Sequence, residues 1–274
     1  MILMKNQKEF EKITKEIFKC KKCTLHQDQI VKKIKYKHNP EFPIPYKDID
    51  EYKTFAVGIN PSWNKESEDF LKEYKSGTFE EYIDVRRKHE NNIHSTQYIS
   101  GIRSTLQRIG IEIEDNQWLW KQVLWANLSF CSSQTPDKRI FLDTQAEEKE
   151  ISCNVFSEEI PNCLDAGYLR RLIGIFKPKL ILFFTTEINR LHYTQILKYC
   201  FNKEIMEINK KFIEKDVIHS MPINKKNTKV KIAVVKIDKT ICAFLPHPSR
   251  KKYIKKEKLE KIEEEIKTRI ENLK

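Results

Sequence analysis

The sequence predicts an α/β fold of three α/β/α layers, with helices on both faces of a central, mostly parallel sheet. Two observations carry that expectation. Several short runs, at 54–59, 122–128 and 180–184, read as near-continuous apolar strands, the pattern of strands buried on both faces. Between them lie segments with apolar residues at helical spacing, and strands alternating with helices is the order that parallel sheets require. The 274 residues show no internal repeat and no linker rich in Gly and Ser. One domain over residues 1–274 is therefore expected, with inserts near 65–97 and 137–160.

Taken in order, Phe10, Ile13, Ile17 and Phe18 recur at helical spacing among Lys and Glu, so 5–19 reads as an amphipathic helix that delivers Cys20 at its end. Residues 32–53 carry Pro40, Pro43 and Pro45 and read as irregular. The first strand, 54–59, stops at Asn60-Pro61-Ser62, a turn. Residues 65–96 read as charged surface helices. Ile102, Leu106 and Ile109 mark a further helix, closed by Gly110 as a C-cap. After the second strand and a polar stretch, Leu169, Leu172, Ile173 and Phe176 give a helix that Pro178 breaks, and the third strand follows. A strand pair, 230–235 and 240–245, surrounds the turn at 237–239. The last helix, within 254–273, places Leu259, Ile262, Ile266 and Ile270 on one face, and Glu263 to Glu265 read as its solvated side.

Composition narrows the function. Lys and Arg number 51 against 39 Asp and Glu, a net charge of +12, which points to a polyanionic partner or to a lysine-rich background shared by every protein of its source. No apolar run approaches the roughly 18 residues of a membrane span, and Met1-Ile2-Leu3-Met4 is too short for a signal-peptide core before Lys5 ends it. The seven cysteines, an odd number, argue against a disulfide framework and for a reducing cytoplasm. Only Cys20 and Cys23 form a close pair, with the spacing of a metal site. Cys200 and Cys242 lie among apolar neighbours and read as core thiols.

In a parallel α/β sheet, ligands sit at the carboxyl ends of the strands. Three strand ends here carry polar residues that a core does not need: Asn60 in Gly58-Ile59-Asn60-Pro61-Ser62, Asn127 in Trp125-Ala126-Asn127-Leu128, and His247 in Leu245-Pro246-His247-Pro248-Ser249-Arg250. Each alone is weak, because Asn and His often satisfy turn backbone. Together they are more specific.

With these motifs the sequence resembles the uracil-DNA glycosylase superfamily. GINPS is similar to the first motif of the mismatch-specific and single-strand-selective branches, LPHPSR to the motif that closes the site, and WANLSFC to the strand whose asparagine reads the base. The iron-sulfur branch is resembled by Cys20-Lys21-Lys22-Cys23-Thr24-Leu25, by Cys131 four residues after Asn127, and by Cys163 ahead of Phe176-Lys177-Pro178-Lys179. The chain departs from that branch in three ways. Between Cys131 and Cys163 lie 31 residues, so an insertion is needed and Cys153 competes as fourth ligand. The acidic residue of that branch's first motif is absent, as is its Pro-Phe-x-Gly step. Features of two branches are thus combined, and the base cannot be inherited from either.

The resemblance implies a monofunctional DNA glycosylase, a cytoplasmic monomer acting on DNA and not on membranes. It would hold a [4Fe-4S] cluster, or zinc, on Cys20, Cys23, Cys131 and Cys163. Asn60 and His247 would be catalytic. Asn127, with Gly58, Ile59, Pro61 and Ser62, would bind the base, and the small Ser62 implies a pocket open to substituted pyrimidines. Ser249, Arg250, Lys251, Lys252 and Tyr253 would enter the DNA, unless 250–256 is simply the solvated start of the last helix. The alternative is a non-catalytic nucleic-acid-binding protein, or one directed against foreign DNA, that retains fold and cluster.

Overall fold

The computed structural model describes residues 2–20, 22, 43–58, 78–92, 97–114, 119–128, 130, 160–184, 193–202, 219–223, 226–230, 233–245 and 256–273. Among them are eight α-helices: α1 (Ile2–Phe18), α2 (Phe79–Asn92), α3 (Gln97–Arg108), α4 (Leu119–Gln122), α5 (Ile160–Asp165), α6 (Tyr168–Phe176), α7 (Tyr193–Phe201) and α8 (Lys256–Leu273). The strands are β1 (Thr54–Gly58), β2 (Leu124–Asn127), β3 (Leu180–Phe183), β4 (His219–Ile223), β5 (Lys226–Val230), β6 (Ala233–Ile237) and β7 (Thr240–Phe244). Five of them form one mixed sheet in the order β2-β1-β3-β7-β6, and β4 and β5 form a separate antiparallel pair. The expected α/β class with a mostly parallel central sheet is observed.

The chain divides into two compact units. One takes Met1–Ile44, Ile59–Asn92 and Ala126–Ile175, and the other takes Pro45–Gly58, Ile93–Trp125 and Phe176–Lys274.

The second unit is built on β3. Its four residues, Leu-Ile-Leu-Phe, are all buried, because parallel β1 and β7 flank it and both faces are covered. Side chains alternate between the two faces. Leu180, Leu182, Ala243 and Leu245 meet Ile102, Leu106 and Ile109 of α3 and Ile262, Ile266 and Ile270 of α8 in one core. The register partners Phe183 and Phe244 stack with centroids 4.7 Å apart, and Phe244 also meets Tyr193 of α7 at 5.8 Å. β6 returns antiparallel to β7 through a tight turn whose Asp238 takes a left-handed conformation, φ 54°. An aspartate tolerates that region better than most residues.

Gly110 caps α3 as expected. It sits at φ 80°, its N–H bonds the carbonyl of Gln107, and the N–H of Ile111 reaches back to Leu106 at 2.9 Å. Pro178 ends α6 as expected, with Lys177 at φ 45° turning the chain into β3. One expectation fails at the last helix. Glu263 is buried, 1 % exposed, with its carboxylate 2.5 Å from the Arg108 guanidinium. It lies about 100° round the helix from Ile262, at the border of the apolar stripe, and the carboxyl end of α3 supplies the cation there. Glu264 is exposed, and Glu265 pairs with Arg269 at 2.6 Å.

In the first unit, α1 has three longitudinal stripes. Phe10, Ile13 and Ile17 are buried, each such apolar side chain contributing about 1.5–3 kcal/mol. Glu9 and Glu16 lie beside them and face Arg171 of α6. Lysines fill the outer face. Phe18 packs edge-on to Phe79 and Tyr82 of α2, at 5.7 and 5.3 Å. Of the two expected inserts, 65–97 contains α2, whereas 137–159 lies outside the described residues.

Candidate functional site

Two places bear on the residues singled out by the sequence. The first is the carboxyl edge of the sheet in the second unit. Val57, Phe183 and Phe244 are aligned in register, and the ladder runs one residue further through Phe184 N–H to Val57 O, 2.8 Å, and Leu245 N–H to Phe183 O, 2.7 Å. β1 and β7 therefore end level with one another, two strand spacings or about 10 Å apart. The segment beginning at 59 and the segment beginning at 246 leave from this common edge. Gly58 closes β1 and is buried. Ile59, Asn60, Pro61, Ser62, His247, Ser249, Arg250, Lys251, Lys252 and Tyr253 lie outside the described residues.

Asn127, in the first unit, ends β2 and is 3 % exposed. Burying an amide costs a few kcal/mol unless its donors and acceptor are used, so a buried asparagine at a strand's carboxyl end has a polar task.

The second place is a thiol corner in the first unit, centred on Tyr168. α1 ends at Phe18, and the N–H of Cys20 bonds the Ile17 carbonyl, 3.1 Å, which holds Cys20 at the helix terminus. Cys163 is buried in α5. Gly167, at φ 69°, then turns the chain sharply so that Tyr168 can open α6. A side chain there would strain the backbone and stand 3.0 Å from the Arg170 guanidinium. Tyr168, 6 % exposed, has its acidity suppressed, first by burial, then by a hydrogen bond with Cys20, then by the nearby Cys20 and Cys163 sulfurs. Phe130 meets the Tyr168 ring edge-on at 6.2 Å, which brings the residue before Cys131 to the same corner. Asn162 Nδ2 donates to the carbonyl of Lys22, 3.4 Å, tying the Cys20 to Cys23 segment to the helix that carries Cys163.

Cys23, Cys131 and Cys153 lie outside the described residues. Among the described residues, no group of three or more His, Cys, Asp or Glu side chains gathers as a metal site. Cys200 and Cys242 are buried in the second unit, as their apolar neighbours predicted, and burial foremost raises the Cys242 thiol, with Cys200 adding to it.

The ion cluster that docks α6 on α1 was not legible in the sequence. Arg171 donates through Nη2 to Glu9, 2.9 Å, and to Glu16, 3.2 Å, and through Nη1 to Glu16 as well. Its guanidinium holds the Glu16 carboxyl below its usual range. Glu9 and Glu16 are one helical face apart by their seven-residue spacing, but nothing near Arg171 in sequence identifies them as its partners. Because the folded value is depressed, this stabilisation is complete above the unfolded carboxylate range, near 4.3, and is lost as pH falls through the folded value. Arg171→Met is therefore expected to cost about 1–2 kcal/mol at neutral pH, discounted for the partial exposure of all three groups. Thermal melts from pH 6 to pH 3 should show the gap to wild type closing; a constant gap rules the ion cluster out as its source.

No protein-family model matches this chain, and no curated protein matches it significantly. Among the described residues, no helix is long and apolar enough to cross a membrane.

Proposed function

We propose that this protein is a DNA glycosylase of the uracil-DNA glycosylase type, hydrolysing the N-glycosidic bond of uracil or another deaminated or modified base. The observation that carries the reading is the common carboxyl edge of β1 and β7, from which both the GINPS and the LPHPSR segments depart. In a parallel sheet that edge is where ligands bind.

The chemistry assigns a role to each residue. Water adds through oxygen to the anomeric carbon as the carbon–nitrogen bond breaks, the bonding electron pair leaves with the base, and the water's proton passes to solvent or to the departing base. Asn60 orients the water through its amide oxygen. His247 donates an N–H to the oxygen of the departing base, where negative charge develops. Asn127 offers one acceptor and two donors in a plane, the set that pairs with a uracil edge. No lysine occupies either motif at a nucleophile position, so the product is an abasic site with the strand intact. Flipping the base out costs a few kcal/mol, which Arg250, Lys251, Lys252 and Tyr253 offset by entering the duplex.

The thiol corner fits a metal centre. Cys20 and Cys163 flank one buried tyrosine, and Phe130 holds the start of the Cys131 segment against it. Cys20, Cys23, Cys131 and Cys163 would hold a [4Fe-4S] cluster, or zinc in a closed tetrahedral site, and the group would act structurally by fixing α1 to α5 and α6. That Cys163, like Cys20, acts on Tyr168 supports its place as fourth ligand.

The test is a panel of oligonucleotides carrying uracil, hypoxanthine, xanthine or 5-substituted pyrimidines, incubated with the protein and cleaved by alkali. Release of at least one base is expected. Because Ser62 is small, a 5-substituted pyrimidine should be among those released; activity on uracil alone would contradict the open pocket, and no release from any member would favour the non-catalytic binder.

A further inference from the structure

The outer face of α1 forms one wall of an open groove of about 800 Å³ that runs to Cys20 and Tyr168. Lys8, Lys12, Lys15, Lys19 and Lys22 line it. The first four fall at i, i+4, i+7 and i+11, which on a helix of 3.6 residues per turn confines them to a strip about 60° wide. From Lys8 to Lys19 the strip spans about 16 Å along the axis. All five residues are exposed.

The groove's carboxylates do not balance these charges. Glu16 is held by Arg171, and Glu11, which accepts from Gln7 at 3.1 Å, is the other one in the lining. Lys15 leans toward α2, with its ammonium 5.4 Å from the Phe79 centroid and 3.9 Å from exposed Glu80. Lysines that merely solubilise a helix are interspersed with acids around its circumference. On α1 two of the three acids, Glu9 and Glu16, are drawn aside to Arg171, and the cations stand in file.

We infer that this groove binds the sugar-phosphate backbone of a DNA strand, through residues other than those expected to flip the base. One strand of duplex DNA rises about 3.4 Å per nucleotide, so the file of lysines matches a run of four to five. Contact is through phosphates and is independent of sequence, since Tyr168 is buried and, among the described residues, no exposed aromatic lines the groove for bases to stack on. A lipid surface is the poorer partner. The apolar side chains of α1 at positions 10, 13 and 17 face inward, so they are not offered to a layer of headgroups. The inference rests on the glycosylase reading for its choice of polymer.

The experiment compares two triple variants of the full chain. Lys8, Lys12 and Lys19 are changed to Gln in one; Lys121, Lys239 and Lys261, exposed lysines elsewhere, are changed to Gln in the other. Binding of an undamaged 20-base-pair duplex is followed by fluorescence anisotropy across a potassium chloride series. The groove triple should bind at least 10-fold more weakly at low salt, and its log–log salt slope should shrink by about 2 to 3, near 0.9 for each phosphate no longer neutralised. The control triple should bind within about twofold of wild type, a bound set by a cost below 0.5 kcal/mol, and Lys→Arg at the three groove positions should restore binding. Equal losses in the two triples would reduce the groove to net charge and overturn the inference. So would phosphatidylserine vesicles capturing the protein through these lysines more tightly than the duplex. The panel assay separates the two readings: base excision with a groove triple that binds like wild type overturns the groove alone, and lysine-dependent binding without excision overturns the glycosylase alone.

Discussion

His247→Ala and Asn60→Ala are each expected to lower the single-turnover rate of base release by at least 10²-fold while leaving affinity for the substrate duplex within a few fold. The size follows from where charge moves. Breaking the glycosidic bond sends an electron pair onto the base, and a preorganised donor at the oxygen that receives it is worth about 2.7–4 kcal/mol, or 10²–10³ in rate. On the glycosylase reading, Asn60 acts on the other reactant. A neutral amide is a poor base, so its contribution is to hold water against the anomeric carbon, and losing that orientation also costs rate before it costs binding. On that reading both groups act in the transition state, so rate and affinity should separate. Rates within threefold of wild type for both variants would mean that the two segments meeting the carboxyl edge of β1 and β7 do not form the reacting site.

What the sequence made legible follows from range. β3 reads directly, because a strand buried on both faces needs no alternation and Leu180 to Phe183 show none. The stop of α3 reads directly too, since Gly110 is needed for a left-handed turn within two residues of the helix. Cys20 and Cys23 were visible as a pair. The meeting of Cys20 with Cys163 around Tyr168 was not, because it joins α1 to helices more than 140 residues on. Arg171 is the same case, separated from Glu16 by 155 residues, and so is Glu263, whose burial depends on Arg108. Local patterns gave most of the elements. Pairings between distant elements needed the fold. The antiparallel pair β4 and β5 and the helix α7 were also missed, the first for want of alternation in His219–Ile223 and Lys226–Val230, the second because Tyr193–Phe201 is apolar on more than one side.

Cys20→Ser and Cys163→Ser are each expected to abolish bound metal, at least a tenfold fall per chain by iron, sulfide and zinc analysis, whereas Cys153→Ser and Cys200→Ala keep it. The discrimination rests on position. Cys20 and Cys163 both stand beside Tyr168, and Phe130 brings the Cys131 segment to the same ring; Cys200 lies in the other unit, buried with Cys242. Loss of metal should also cost stability, because a structural site stabilises only the folded arrangement of its ligands. Here the arrangement is α1 against α5 and α6, so protease sensitivity should rise first in α1. Tyr168→Phe separates the metal from its surroundings. It keeps the ring that packs on Phe130 and removes the hydroxyl that meets Cys20, and loss of such an outer hydrogen bond typically weakens a metal site by about 10–100-fold. Faster metal release to a chelator, with full metal content before the challenge, is the expected result. A wild-type protein purified without oxygen that carries neither iron nor zinc would overturn the metal centre, and retention of metal by Cys163→Ser with its loss in Cys153→Ser would move the fourth ligand out of α5.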